Sequence, residues 1–409
     1  MGFFNRNHLF RLMLAAIFLV PLVPMYITPA LFVPVVIFYL LYTRENPDAY
    51  QRMRRSLAEI RRSRFSLAFM LLAVWSLVSV VYSDDKVMSL AGAAIYASAF
   101  AAFFILKFEL NRPFHTKMVL RTYIASVVVV SAYHAAQLVF FAFFSPAPFV
   151  RTEHTSFIEH GNILACYMLI ALFPMVVLAV RTRKRDLKLA AWYAFVSCLI
   201  TGSIFLTGSR AGMLGVFLGI LTLAFYSSRK FLVVLIPASF MLMVVPYSRN
   251  RILDIFSYEQ NYSRLRIWKA ALYMAKEHPI LGIGLNSFFH EYPGYVARFP
   301  ELNNPYDNNV VYHAHNALFN IQAELGIPGM VLLMLMLVAM YRSLVRYLGS
   351  EKVWRDGLAF YSGFAVSMIV FVFLNLIDNY SLTPKIICTI AILAGSMHGD
   401  ARNKGMLHF

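Results

Sequence analysis

Residues 161–180, GNILACYMLIALFPMVVLAV, form an unbroken apolar run without a charged side chain. An α-helix needs roughly 20 such residues to cross the hydrocarbon core of a membrane. Similar runs recur along the 409-residue chain, which is 60% hydrophobic and 14% charged, whereas soluble domains carry about 25% charged residues. The sequence therefore predicts an all-α polytopic membrane protein.

Twelve apolar runs are candidates for membrane spans, although the shorter ones must borrow flanking residues to reach full length. They lie at residues 10–24, 27–43, 65–82, 87–106, 118–144, 161–180, 189–207, 211–226, 231–246, 326–347, 357–376 and 385–398. We therefore expect about 12 transmembrane helices. Nine of them fall within residues 1–246 and three, with a short tail, within residues 326–409, and one large loop over residues 247–325 separates the two sets.

The net charge of +17 follows a membrane topology. Basic residues concentrate in alternate short connections, such as residues 44–64 and 181–188. Cytoplasmic connections of membrane proteins carry an excess of Lys and Arg. We therefore expect both termini in the cytoplasm and the loop of residues 247–325 on the outer face. The bilayer accounts for this charge, and no nucleic-acid partner is expected.

The large loop of residues 247–325 is too rich in aromatic and apolar residues to be disordered. Long loops in compact proteins are usually functional when they are ordered. Residues 263–278, SRLRIWKAALYMAKEH, predict one helix. A second, short helix is expected over residues 314–325, with Gly326 in the C-cap position.

Three groups of polar residues are expected on the outer face. Residues 207–210, TGSR, lie at a span boundary, where an arginine is costly unless it pairs or faces water. Arg264 and Arg266 open the loop helix and, being two residues apart, point to different sides of it. Residues 313–316, HAHN, contribute two histidines.

Arginines and a histidine at a membrane surface suit a phosphorylated, lipid-linked substrate. Guanidinium groups bind phosphate oxygens in a bidentate manner and stay charged. A neutral histidine can accept a proton from an attacking hydroxyl. Metal binding by His313 and His315 is the rival interpretation, but neither cysteines nor clustered carboxylates accompany them. The sequence therefore favours a site without a metal or a cofactor.

The order of these motifs resembles the signature of the O-antigen ligase and polymerase superfamily. The resemblance covers roughly residues 160–330, and the first 150 residues are similar only in hydropathy. The residues that carry it are residues 207–210 (TGSR), Arg264 and Trp268, Pro279, Gly282 and Gly284, and finally His315, Asn316, Gly326 and Gly329.

The resemblance implies glycosyl transfer from an undecaprenyl-diphosphate-linked glycan to a sugar hydroxyl at the periplasmic face of the bacterial inner membrane. Arg210 and Arg264 would bind the diphosphate, and His315 would activate or position the acceptor hydroxyl. The reaction would need no metal and would invert the anomeric carbon. Arg266 is an alternative to Arg264, because the two arginines leave the correspondence open by two residues.

Other polar residues are candidates for substrate binding around this centre. Asn316 could touch the substrate or cap the short helix. Asp378 could orient His315 or pair with an arginine. The full set of binding candidates is Arg266, His313, Asn316, Gln322, Asp378, His160 and Asn162.

Three functions are compatible with this pattern. The first is an O-antigen ligase, which joins completed O-antigen polysaccharide to lipid A-core oligosaccharide. The second is an O-antigen polymerase that joins lipid-linked repeat units, although polymerases often carry two sizeable outer loops and this chain has one. The third is a polysaccharide-lipid transporter or flippase, which would favour charged or helix-breaking positions in the middle of spans.

Overall fold

A computed structural model of the protein describes residues 4–144, 155–229, 232, 258–303 and 311–406. These residues form α-helices, turns and short 3-10 helices, and no β-strand is found among them. The ninth expected span, residues 231–246, lies outside the described residues except for residue 232. The first part of the large loop lies outside them too.

Nine of the described helices precede the large loop. They are α1 (Arg6–Leu19), α2 (Phe32–Glu45), α3 (Pro47–Ile60), α4 (Arg64–Tyr82), α5 (Lys86–Phe108), α6 (Pro113–Phe144), α7 (Gly161–Thr182), α8 (Leu187–Leu206) and α9 (Arg210–Tyr226). Five more of the described helices lie in the loop and the C-terminal part. They are α10 (Tyr258–Glu277), α11 (Phe288–Arg298), α12 (Ala317–Leu348), α13 (Arg355–Ile377) and α14 (Pro384–Asn403).

Seven described helices are long and apolar enough to cross a membrane, and they are α4, α5, α6, α7, α8, α12 and α13. Helices α1 and α2 have 14 residues each and are therefore about 21 Å long, short of the roughly 30 Å hydrocarbon core. Helix α9 is apolar but has only 17 residues. The polytopic α-helical class is confirmed, and the described helices account for seven of the 12 expected spans.

The chain forms two compact units, and α6 contributes to both. The first unit comprises Met1–Ser126, Ser263–Lys352 and Ser381–Phe409. The second comprises Val127–Tyr262 and Val353–Tyr380.

In the second unit, α13 packs along α7 at a proline. Pro174 lies inside α7 and has no N–H to donate to the Ile170 carbonyl one turn earlier. The Ser367 hydroxyl of α13 lies 3.0 Å from the carbonyl oxygens of both Leu169 and Ile170. Ser367 thereby supplies the donor that the proline lacks. On α9, a Cβ added at Gly219 would come within 1.8 Å of the α7 side chains, so α9 also packs closely on α7.

In the first unit, α12 is broken near its start at Gly326. The Gly326 backbone has φ 66 and ψ −169, a combination essentially restricted to glycine. The predicted helix end at Gly326 is confirmed, and a second helical segment follows at once. The break removes regular helical hydrogen bonds, and Pro328 has no N–H to offer. Because this part of α12 is buried, the freed backbone groups need other partners.

The turn that follows α10, residues 279–284 (PILGIG), provides most of these partners. The four bonds, each 2.9 Å long, join Ile283 N–H to the Ala323 carbonyl, Gly284 N–H to the Glu324 carbonyl, Ile327 N–H to the Pro279 carbonyl, and the Trp75 indole N–H to the Leu325 carbonyl. A Cβ at Gly282 would come within 2.3 Å of the Glu324 carbonyl oxygen. The Pro-x-x-Gly-x-Gly motif of residues 279–284 therefore supplies backbone hydrogen-bond partners for the residues around the break in α12.

The same turn is fastened to the junction between α4 and α5. The contacts are the Tyr82 hydroxyl with the Leu281 carbonyl, the Ser89 hydroxyl with the Leu285 carbonyl at 2.7 Å, and the hydroxyls of Ser83 and Ser287 at 2.9 Å. Helix α5 has 23 residues and is about 34 Å long. Beyond its other end, Arg52 binds Glu109 at 3.0 Å. The loop and the basic connections therefore lie at opposite ends of this unit.

We predict that Gly326→Ala lowers the melting temperature of the detergent-solubilised protein. The added Cβ would come within 2.1 Å of the Ile280 carbonyl oxygen, and the backbone strain alone costs roughly 1–3 kcal/mol. Gly294→Ala in α11 is the control, because its Cβ would meet nothing within 4 Å. Equal melting temperatures for the two variants would contradict the role given to the break.

Candidate functional site

In the first unit, α10, α11 and the start of α12 share a hydrophobic core. Ile267 and Met274 of α10 pack in this core with Phe288 and Tyr292 of α11. Ala314, which separates the two histidines of the HAHN motif, is fully buried in the same core. The segment that carries the histidines is therefore attached to a packed core and held at its centre.

Helix α11 is fastened to the end of α10 through Glu277. The Tyr295 hydroxyl and the Arg298 guanidinium both donate to Glu277 Oε2, each at 2.7 Å. Arg298 and then Tyr295 lower the pKa of Glu277 through these hydrogen bonds. Glu277 and Arg298 are the exposed last residues of α10 and α11, and Tyr295 reaches Glu277 from the buried core. These contacts fix the angle between the two helices.

The two arginines of α10 have different surroundings. Arg266 donates to the backbone carbonyls of Glu301 and Asn303, the latter at 2.6 Å, and so holds the short 3-10 helix Pro300–Leu302 against α10. Arg264 is half-buried and makes no hydrogen bond or ion pair within the described part of the chain. Arg266 therefore has a structural role. The expectation that the pair points to different sides, and the role of Arg264, stay predictions.

Trp268 connects the Arg264 side of α10 to the start of α12. Its ring meets that of Phe319 edge to face, with centroids 5.7 Å apart. Trp268 lies four residues after Arg264, so the two share one side of the helix. Arg264 is therefore one turn away from the contact between α10 and the first turn of α12, where the HAHN motif ends.

The HAHN segment is held in a single conformation by local hydrogen bonds. Asn316 caps α12, because its Oδ1 accepts the N–H groups of Leu318 and Phe319 at 3.0 and 3.2 Å. The capping interpretation of Asn316 is therefore the one the geometry bears out. One turn later, Asn320 Oδ1 accepts the Ala314 N–H at 2.9 Å. Gln322, on another side of α12, is half-buried.

His315 has a left-handed backbone, with φ 48, which is uncommon for a residue other than glycine. Its N–H donates to His313 Nδ1 at 3.2 Å, so His313 Nδ1 is unprotonated. The two rings lie edge to face with centroids 4.5 Å apart. Both histidines are half-buried, and their geometry is fixed before any substrate binds.

In the second unit, the TGSR motif is the turn between α8 and α9. The Thr207 hydroxyl donates to the Ile204 carbonyl at 2.7 Å and accepts the Ser209 N–H at 3.2 Å. Ser209 Oγ caps α9 by accepting the Gly212 N–H at 3.2 Å. Each small residue thus closes a helix end, and Arg210 follows as the half-buried first residue of α9.

A second polar group in this unit joins the start of α7 to the end of α13. Asn162 Nδ2 donates to Asp378 Oδ2 at 3.3 Å, and the Tyr380 hydroxyl lies 3.2 Å from the same oxygen. His160 Nδ1 accepts the Asn162 N–H at 3.2 Å. The structure therefore brings His160, Asn162 and Asp378 together. The role of Asp378 toward His315 or an arginine stays a prediction.

Sequence reasoning missed several residues on which this geometry depends. Asn320 holds the histidine segment through the Ala314 N–H at 2.9 Å. Trp75, Ser83 and Ser89 bind the loop from the membrane helices. A signal did exist, since polar side chains within or at the ends of spans usually have a partner or a function.

These features define a polytopic α-helical membrane protein in which α10, α11 and the start of α12 form a packed core that holds paired histidines. The model of the O-antigen ligase family matches residues 193–334. This match confirms the resemblance found in the sequence. The matched residues include Arg210, Arg264 and His315, whereas His160, Asn162 and Asp378 lie outside them. No curated protein matches the chain.

The family comprises O-antigen ligases and related polymerases. Together with the apolar helices it identifies a bacterial membrane protein. The family implies a lipid-linked glycan and lipid A-core as partners within the membrane.

We predict that Arg264→Ala and Arg266→Ala separate function from stability. Arg264→Ala should keep the wild-type melting temperature and weaken binding of the lipid-diphosphate donor, because about 1.5–3 kcal/mol is typical of a charge-assisted hydrogen bond. Arg266→Ala should lower the melting temperature, because two backbone carbonyls lose their donor. Thermal unfolding and donor binding measured on both variants check this, and the reverse pattern would exchange the two roles.

We predict that His315→Ala abolishes glycan transfer while insertion and donor binding persist. The side chain is lost at the centre of a segment that Asn316 and Asn320 still hold. His290→Ala, at an exposed position of α11, is the matched control and should transfer glycan at the wild-type rate. Transfer at the wild-type rate by the His315 variant would refute the role given to this residue.

Proposed function

We propose that the protein is an O-antigen ligase that transfers undecaprenyl-diphosphate-linked O-antigen polysaccharide to a sugar hydroxyl of lipid A-core oligosaccharide. The observation that carries the proposal is the ordered HAHN segment within the matched region, together with an arginine one turn from its contact with α10. A transferase of this kind needs a group that receives the acceptor proton and cations that receive the leaving diphosphate.

The proposed reaction is a direct displacement at the anomeric carbon. The acceptor oxygen forms a bond to that carbon, and the bond from carbon to the diphosphate oxygen breaks with inversion. His315 accepts or orients the hydroxyl proton. Arg264 and Arg210 bind the diphosphate, whose negative charge grows as the bond breaks. The proposed mechanism assigns no step to a metal ion or a nucleotide.

The proposed site is periplasmic, and both termini are cytoplasmic. The separation of the loop from the basic connections, by about the length of α5, supports this orientation, because Lys and Arg concentrate on the cytoplasmic side. The donor is made available at the inner membrane as a lipid, so a catalytic loop at the membrane surface can meet both lipid-linked substrates.

Polymerase activity is the second candidate, because the matched family includes polymerases as well as ligases. The two differ in acceptor, since a polymerase extends a second lipid-linked glycan. The single large outer loop favours the ligase. Transport without chemistry, the third function considered, gives no task to a fixed histidine.

We predict that purified protein transfers glycan to lipid A-core from an undecaprenyl-diphosphate-linked donor, in EDTA and without nucleotide. Glycan on lipid A-core, separated by gel electrophoresis, would establish the ligase. Lengthening of the lipid-linked glycan alone would establish a polymerase, and the absence of both products would favour transport. Loss of the product in EDTA would contradict the proposal that the reaction needs no metal. His290→Ala is the positive control, because it should transfer glycan at the wild-type rate.

A further inference from the structure

Two buried polar side chains on successive turns of α12 have unused hydrogen-bonding atoms. Asn320 is 0% exposed and Glu324 is 1% exposed. Neither Asn320 Nδ2 nor Glu324 Oε2 has a hydrogen-bond partner among the described residues. Because buried polar atoms are almost always satisfied, each such atom calls for an explanation.

The remaining atoms of these two side chains connect different parts of the first unit. Asn320 Oδ1 holds the Ala314 N–H at 2.9 Å, between the two histidines. Glu324 Oε1 holds the Phe288 N–H at 3.2 Å, at the first residue of α11. Ser287, which precedes it, makes no capping bond of its own to α11 and is fastened to Ser83 at 2.9 Å.

The chemistry of the two unused atoms is complementary. Since Asn320 Oδ1 is the acceptor for Ala314, the other end of the amide must be its NH₂ donor. Glu324 lies four residues on, so its carboxylate is the neighbour of this amide on the helix surface, and the amide lies within interaction range of it.

We infer that Asn320 and Glu324 form a positioning pair that couples the histidine segment to the loop fastened on α4 and α5. The amide faces the carboxylate across one helical turn. Glu324 Oε1 fixes α11 through the Phe288 N–H, and Asn320 Oδ1 fixes the Ala314 N–H. This inference rests on the proposed function for its catalytic meaning, since the pair acts on substrate only through His315.

The orientation of the pair gives a swap test with isosteric side chains. Asn320→Asp alone keeps the Ala314 bond but sets two carboxylates against each other. Glu324→Gln alone keeps the Phe288 bond but sets two NH₂ groups against each other. The double variant N320D/E324Q restores one donor opposite one acceptor and keeps both outer bonds. Glu291→Gln, in the first turn of α11 and only half-buried, is the matched control.

Transfer, donor binding and histidine reactivity should be measured on all four variants and the wild type. Asn320→Asp and Glu324→Gln should each lower the transfer rate about tenfold or more, as expected for a buried polar group without a partner. Glu291→Gln should keep the wild-type rate. Donor binding should stay within about twofold, because the arginines are untouched. Diethyl pyrocarbonate should modify His313 and His315 faster in each single variant, as read by peptide mass spectrometry. The double variant should recover both the rate and the protection.

A double variant no better than the poorer single variant would overturn the inference, as would single variants with wild-type rates and reactivity. If the wild type transfers no glycan to lipid A-core, the proposed function fails, and the diethyl pyrocarbonate series still decides the inference. If Asn320→Asp or Glu324→Gln does not insert into the membrane, the N320D/E324Q variant tests the inference. A double variant that folds and protects the histidines from diethyl pyrocarbonate supports the pair, and a double variant that does not fold contradicts it.

Discussion

The rest of the first unit depends on one break in a helix. At Gly326 the α12 backbone leaves the helical path, and its buried carbonyl and N–H groups must find partners elsewhere. The turn of residues 279–284 and the indole of Trp75 supply them with four bonds of 2.9 Å. A membrane boundary offers little water to do this in their place. The break therefore fixes the turn, the turn fixes α10 and α11, and those helices hold the histidine segment.

This arrangement separates two kinds of residue within the motifs. Backbone geometry requires glycine at positions 282 and 326, because a Cβ added to Gly282 or Gly326 would come within 2.3 Å of a carbonyl oxygen. Arg266 also serves structure, through its bonds to two carbonyls. Among the described residues, Arg264 has no comparable contact, and His315 is proposed to act on the substrate. A motif of this kind combines scaffold and chemistry, and the two can be separated only when the partners of each residue are known.

The sequence predicted what is decided locally. The capping of α12 by Asn316 and the helix end at Gly326 follow from the residue types within one turn. The sequence could not predict what is decided by distant contacts. The bond from Trp75 to Leu325 joins residues 250 positions apart, and the different tasks of Arg264 and Arg266 depend on the segment near residue 301. The first two apolar runs form helices of only 14 residues each, and the count of 12 spans stays a prediction.

Arg266 donates to two backbone carbonyls, whereas Arg264, two residues earlier, makes no hydrogen bond or ion pair among the described residues. Arg264 is the arginine that we propose for the diphosphate. Phosphate oxygens would supply acceptors of the right charge and geometry. The histidine segment is likewise ordered before substrate arrives, so little of the binding energy is needed to arrange it. A positioned base and a cation that binds the leaving diphosphate are complementary requirements for transfer from a diphosphate.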